Sequence, residues 1–107
     1  MLPKNKRITK ELFQSILKTG RTLSSPLFLF RYMSIPGMDT KYAFVVPKSV
    51  SKQAVKRNKL RRQGYNTLRT LPLPLVSGIF FYKKGSEKTN LNEIKENVNT
   101  ILKKIHP

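Results

Sequence analysis

Apolar residues in this chain recur at two spacings, and the switches between them lay out the elements. In "TKELFQSILKTG", residues 9–20, Leu12, Phe13, Ile16 and Leu17 recur at helical spacing. Thr9 is placed to cap that helix, Glu11 suits the positive end of its dipole, and Gly20 marks its stop. In "SPLFLFRYM", residues 25–33, the period shortens to two. Phe28, Phe30 and Tyr32 share one face of that strand and read as core. Leu27, Leu29 and Arg31 share the other, and the cation among them marks a face that solvent can reach. A short strand is expected near Thr22–Ser24. The Pro-Gly pair in "SIPGMDT", 34–40, predicts a turn, and "KYAFVVP", 41–47, follows as the hairpin partner.

From Ser51 to Leu71 the pattern is helical again, until "LPLPL" at 71–75 ends it. "SGIFFYKK", 77–84, reads as a strand. Asn90 caps a last helix, with Glu93 at the capping-box position and Leu91, Ile94, Val98, Ile101, Leu102 and Ile105 as its apolar stripe. The order is helix, two or three strands, helix, strand, helix. That predicts one α+β domain over residues 1–107, a sandwich built on a small sheet.

Charge changes the picture. The 107 residues hold 22 Lys and Arg against 5 Asp and Glu, a net charge of +17. Self-repulsion on that scale costs stability and calls for a partner of opposite sign: nucleic acid, an anionic membrane or an acidic protein. Between Lys41 and Lys84 no acid occurs at all, while eleven Lys and Arg do. A merely solubilising surface would mix the signs. The chain has no Cys, which excludes a disulfide scaffold and a Cys-based zinc site. No apolar run approaches the ~20 residues of a membrane span. The basic, extended opening "MLPKNKRITK" lacks the apolar core of a secretory signal. A cytoplasmic, soluble protein is expected.

The densest basic run, "AVKRNKLRR" at 54–62, puts five cations into nine residues. On a helical wheel Leu60, Gly64, Leu68 and Leu71 gather on the side that packs on the sheet. Asn58, Arg62, Tyr65 and Arg69 form a second stripe, with Arg61 at its edge and Arg57 between the two sides. Arginine offers a planar fork matched to phosphate oxygens. Asn offers a donor and an acceptor for a base edge or a 2′-hydroxyl, and Tyr can stack on a base. A charge run is usually a solvated face, but missing counter-charges over the whole of 41–84 favour a folded RNA as partner.

The stretch "KYAFVVPKSVSKQAVKRNKLRR", 41–62, resembles the signature region of the bacterial ribonuclease P protein subunit. The family's Arg-Asn-Arg-x-Lys-Arg motif is matched by Arg57, Asn58, Lys59, Arg61 and Arg62. "LPKNKRITKELFQSILKTGRTLSSPLFLF" resembles the family's opening helix and first strands, and the element order agrees. The resemblance implies an αβββαβα sandwich with a left-handed βαβ crossover, against the usual preference. It implies a protein subunit of ribonuclease P, which removes the 5′ leader of precursor tRNA with catalysis by the RNA subunit. Magnesium would then be held mainly by the RNA. The implied partners are that RNA and precursor tRNA, with no membrane and no stable protein partner.

Residue by residue, Lys48, Arg57, Asn58, Lys59, Arg61 and Arg62 fall on the family's RNA-binding motif. Lys52, Lys56, Tyr65 and Arg69 of the same basic stretch complete the candidate set for the RNA subunit. Phe13 falls on an aromatic of the leader cleft, Leu17 where many members have a second Phe, and Arg31 where a cleft Tyr is common. Lys59 stands for the motif's second Arg and Ser49 for a frequent second Lys. Gln63, Gly64, Tyr65 and Asn66 replace an apolar pair followed by Arg-Glu or Arg-Gln.

The chain has no evident catalytic set of its own. A two-metal nuclease needs clustered carboxylates. Glu11 and Asp39 stand alone, Glu93 and Glu96 share a side of the last helix as surface charges do, and His106 is the only histidine. Two rival readings remain open on composition. One is a structural protein of another ribonucleoprotein, such as a small ribosomal protein. The other is a module for anionic membranes or acidic proteins, against which the absence of a cationic helix with a broad apolar face weighs.

Overall fold

The computed structural model describes residues 8–34 and 40–105. Most of the basic opening, the Pro-Gly turn with Asp39, and His106 lie outside the described residues. The elements run α1 (Lys10–Thr19), β1 (Arg21–Ser24), β2 (Phe28–Met33), β3 (Tyr42–Val45), α2 (Ala54–Leu68), β4 (Ser77–Tyr82) and α3 (Leu91–Lys103), with a 3-10 turn at Ser86–Lys88. The α+β order αβββαβα is therefore present.

The four strands form one mixed sheet in the order β1-β2-β4-β3. β1 pairs with β2 and β2 with β4 antiparallel, while β3 and β4 are parallel. Parallel neighbours need a crossover, and α2 supplies it. This corrects the expected hairpin: β3 follows β2 in the chain, but β4 lies between them. The reason is in β4's own sequence. "SGIFFY" is buried along nearly its whole length, so it takes a central place with both edges bonded. The four-residue strands β1 and β3 take the edges.

Register sorts the side chains onto two faces. One face carries Phe28, Phe30, Tyr42, Phe44, Phe80 and Tyr82. It packs with Leu60 and Leu68 of α2 and with Ile94, Val98, Ile101 and Leu102 of α3. Phe80 lies at its centre, with ring centroids 4.2 Å from Phe30 and 4.8 Å from Phe44. The other face carries Ile79, against which Leu12 and Ile16 of α1 form a smaller cluster.

The caps follow the sequence at helix starts and depart from it at one end. Thr9 Oγ1 accepts from Leu12 N–H at 3.2 Å, and Asn90 Oδ1 accepts from Glu93 N–H at 2.9 Å. Gly20 is extended rather than left-handed (φ −70°, ψ 158°). Its glycine is needed for space, because a Cβ there would lie 2.4 Å from the Ile16 carbonyl oxygen. Leu91, expected in the apolar stripe, is 48% exposed; the buried part of that stripe begins at Ile94. α2 ends at Leu68, so Leu71 packs on the core from the following loop.

Gly64 explains itself once β3 is in place. A Cβ on Gly64 would lie 2.6–2.8 Å from ring atoms of Phe44. Glycine lowers helix propensity by about 1 kcal/mol relative to alanine, and here it lets α2 settle on the Phe44 ring. The expected result for Gly64→Ala is a net loss of up to about 2 kcal/mol, an overpacking cost of about 1–3 kcal/mol less the propensity gain. Urea unfolding measures it; a stabilised variant would show that α2 and β3 have room to spare.

Two buried tyrosines tie the sheet to its surroundings. The Tyr82 hydroxyl donates to the Leu60 carbonyl at 2.6 Å and the Tyr42 hydroxyl to the Pro74 carbonyl at 2.9 Å. Burial pushes both hydroxyls well above the ordinary tyrosine range. The neutral form is favoured in the fold, so this stabilisation is complete below about pH 10 and fades as pH rises above it. Tyr82→Phe should be less stable than the parent at pH 7, and the gap should close between pH 10 and 11. Parallel stability curves from thermal melts would show that Tyr82 ionises freely.

Candidate nucleic-acid interface

α2 is held from behind by the aromatic face, which leaves its outer side to the cations. Lys56, Asn58, Lys59 and Arg62 are exposed there, and Arg57 and Arg61 are half-buried. The first turn of α2 has no acid, and its N-cap, Gln53, makes no side-chain capping bond. Within α2 itself, therefore, no carboxylate offsets the positive end of the helix dipole or its free N–H groups. Beside that end lies a depression of about 510 Å³ whose lining includes Lys48, Lys52 and Lys84. Glu87 also lines it and pairs with Lys56 at 3.0 Å, which fixes one rim of the basic surface.

Two motif arginines have work within the chain. Arg57 Nη1 donates to the Ser51 carbonyl at 3.0 Å and so braces the loop that carries Lys48 and Lys52. Arg61 Nη1 donates to Asn58 Oδ1 at 2.8 Å, one turn away. That bond leaves the Asn58 amide N–H₂ as the donor end of a preformed Arg-Asn pair. Arg69 is exposed at the C-cap of α2, at the far end of the same helix.

Tyr65 requires a correction. It was expected on the basic stripe, poised to stack on a base. It is instead 9% exposed, packed edge-on against Phe44 at 5.3 Å, with its hydroxyl accepting from Phe44 N–H at 3.3 Å. It belongs to the join between α2 and β3. The signal that could have found it is Gly64 beside it, which brings β3 close enough to cover the next position.

The opposite face of the sheet has a different chemistry. Register lays out a row of Ser24, Leu29, Phe81 and Val45 across the four strands, next to a row of Thr22, Arg31, Ile79 and Ala43. α1 covers Ile79 but leaves Phe81, Val45 and Ala43 only partly buried. Phe13 meets Phe81 edge-on, with centroids 6.3 Å apart, and is itself half-buried. Leu17 is 42% exposed and Leu29 37%. Phe13 and Leu17 thus border an apolar strip beside α1, to which Leu29 and Phe81 add surface. Arg31 lies in the same region, but its guanidinium is bonded to the end of α1.

Among the described residues, no three His, Cys, Asp or Glu gather where they could hold a metal ion. No described helix is long and apolar enough to cross a membrane.

Comparison with known proteins gives these surfaces a context. The family model described as Ribonuclease P matches residues 2–106. The ribonuclease P protein component of Synechococcus sp. (strain JA-2-3B'a(2-13)) is 31% identical over 112 residues, covering 97% of this chain and 84% of that protein. The ribonuclease P protein of Thermotoga maritima superposes with a TM-score of 0.83 at 20% identity, covering 94% of this chain and 98% of that one. That of Staphylococcus aureus gives 0.80 at 20% identity, covering 92% and 93%. The sheet and its three helices are thus those of a known fold, and the chain belongs to the ribonuclease P protein family, the protein component of the ribonuclease P endoribonuclease.

Proposed function

We propose that this chain binds the catalytic RNA of ribonuclease P through α2 and the loop before it, and the 5′ leader of precursor tRNA through the sheet face beside α1. The observation that carries this reading is the placement of two unlike surfaces on opposite sides of one sheet. One is rich in cations, on a stretch with no acid between Lys41 and Lys84. The other is an apolar strip of Phe13, Leu17, Leu29 and Phe81, suited to unpaired bases.

The physical role is to bring positive charge to a place where two RNAs meet. The RNA subunit performs the chemistry, and magnesium is held by RNA. The protein screens phosphate repulsion and extends the grip on substrate to the leader. High magnesium supplies the same screening, so the protein's benefit should be largest when magnesium is low. Reconstitution with a bacterial ribonuclease P RNA and a precursor tRNA tests this. Leader release should depend on both components at low magnesium and on the RNA alone at high magnesium. No stimulation by the protein would point to a structural role in another ribonucleoprotein.

Arg62 offers a sharper test of the basic surface. It is exposed on α2, clear of the core. Arg62→Ala should weaken binding of the RNA subunit and flatten the plot of log affinity against log salt by about 0.7–0.9 unit, the loss of one phosphate contact. An unchanged slope would mean that Arg62 does not touch phosphate.

A further inference from the structure

Arg31 stands on β2 in the row facing α1, opposite Thr22 of β1 and Ile79 of β4. Its Nη2 donates to the carbonyls of Leu17 at 2.8 Å and Gly20 at 3.2 Å, and at the limit of bonding to Ile16 at 3.5 Å. Its Nη1 donates to Thr22 Oγ1 at 2.9 Å. The acceptors lie at the C-terminus of α1 and on β1. A helix end leaves carbonyls without intrahelical donors and carries the negative end of the dipole. A left-handed glycine would satisfy them with its own backbone. Gly20 is extended, and its N–H returns only to Ile16 O, at 2.8 Å. Arg31 answers Leu17 and Gly20.

We propose that Arg31 is a positioning residue: a latch that fixes the C-terminal half of α1 on the sheet and so sets where Phe13 and Leu17 meet the leader. The proposal rests on the reading of that face as the leader site. The apolar hold of α1 is smaller than that of the other helices: Leu12 and Ile16 on Ile79, with Phe13 against Phe81 and partly buried Ile8, Met33, Ala43 and Val45 packed around them. The charge-assisted hydrogen bonds of Arg31 add to that hold at the one end of α1 where backbone carbonyls lack intrahelical donors. Both Nη groups are turned to acceptors of the chain itself, and Nε is buried without a partner. An arginine serving the RNA directly would hold its fork outward. Lysine cannot replace this fork, because its point charge does not span the carbonyls and the hydroxyl together.

The experiment compares the parent protein with Arg31→Lys, which keeps the charge, and Arg31→Met, which keeps the length without donors. In the free protein, amide hydrogen exchange should speed up over residues 16–20 in both variants, with α2 and α3 unchanged. In the holoenzyme assembled on a bacterial ribonuclease P RNA, the preference for precursor over mature tRNA should fall about fivefold in both. Affinity for the RNA subunit and the salt slope of precursor binding should not move. Unchanged exchange in α1 overturns the latch. A full preference in the Lys variant, with a salt slope reduced by about one unit in the Met variant, overturns it in favour of a phosphate contact. Loss of protection in all three helices together with RNA-subunit affinity overturns it in favour of a general structural role. A parent protein with no preference for the leader overturns the leader reading and Arg31's part in it, while the exchange result still decides whether Arg31 holds α1.

Discussion

The burial of β4 between β2 and β3 is the constraint on which the rest of this structure depends. A strand that reads "SGIFFY" cannot sit at an edge with one side wet. Placing it in the centre forces β3 to run parallel to it and forces α2 to cross the sheet. Phe80 of that strand then organises one face, touching the rings of Phe28, Phe30 and Phe44. Two helices are needed to cover so many aromatics, and α2 and α3 do so. One short helix is left for the other face. α1 covers the middle of it and leaves an apolar strip open at the side.

The same constraint makes the basic helix affordable in physical terms. α2 carries cations with no acid in its first turn and no lysine or arginine in its last, so its own electrostatics give little support. Its place is secured from below, by Leu60 and Leu68 in the core, by Gly64 lying on Phe44, and by Tyr82 bonded to the Leu60 carbonyl. Because tertiary packing fixes the helix, the outward side is free to be chosen for charge alone. Lys56, Lys59 and Arg62 use that freedom, while Arg57 and Arg61 spend donors on Ser51 and Asn58 to hold the surface in shape.

Much of this was legible in the chain. The alternation in "FLFRY" told core from open face, and Arg31 marked the open one. Thr9 and Asn90 announced their helices, and the acid-free stretch announced the basic surface. What the chain hid was non-local. The Pro-Gly pair argued for β2 pairing with β3, since a turn is read from adjacent residues and a central strand arriving later is not. Tyr65 lies only about 60° from Leu68 around α2, and whether that position is wet depends on how near β3 comes, which Gly64 decides. The role of Arg31 needs β2 to pass under the end of α1, and no spacing along the chain expresses that crossing.

These differences in anchorage separate the two surfaces mechanically. α2 rests on a continuous aromatic layer, so it moves only if the core moves. α1 rests on a smaller cluster, Leu12 and Ile16 on Ile79 with partly buried Phe13, Met33, Ala43, Val45 and Phe81 around them, and on the hydrogen bonds of Arg31, which are partly exposed to solvent. Elements with few buried apolar contacts open at lower free energy than core elements. Charge acts in the same direction: with a net +17, phosphate bound along α2 relieves repulsion and stabilises the core side by mass action. Among the described residues, the strand rows beside α1 hold no comparable run of cations. On the proposed reading, the firm surface serves the RNA that stays, and the more compliant one serves a substrate that must leave. A single arginine at the end of α1 then governs how compliant that second surface is.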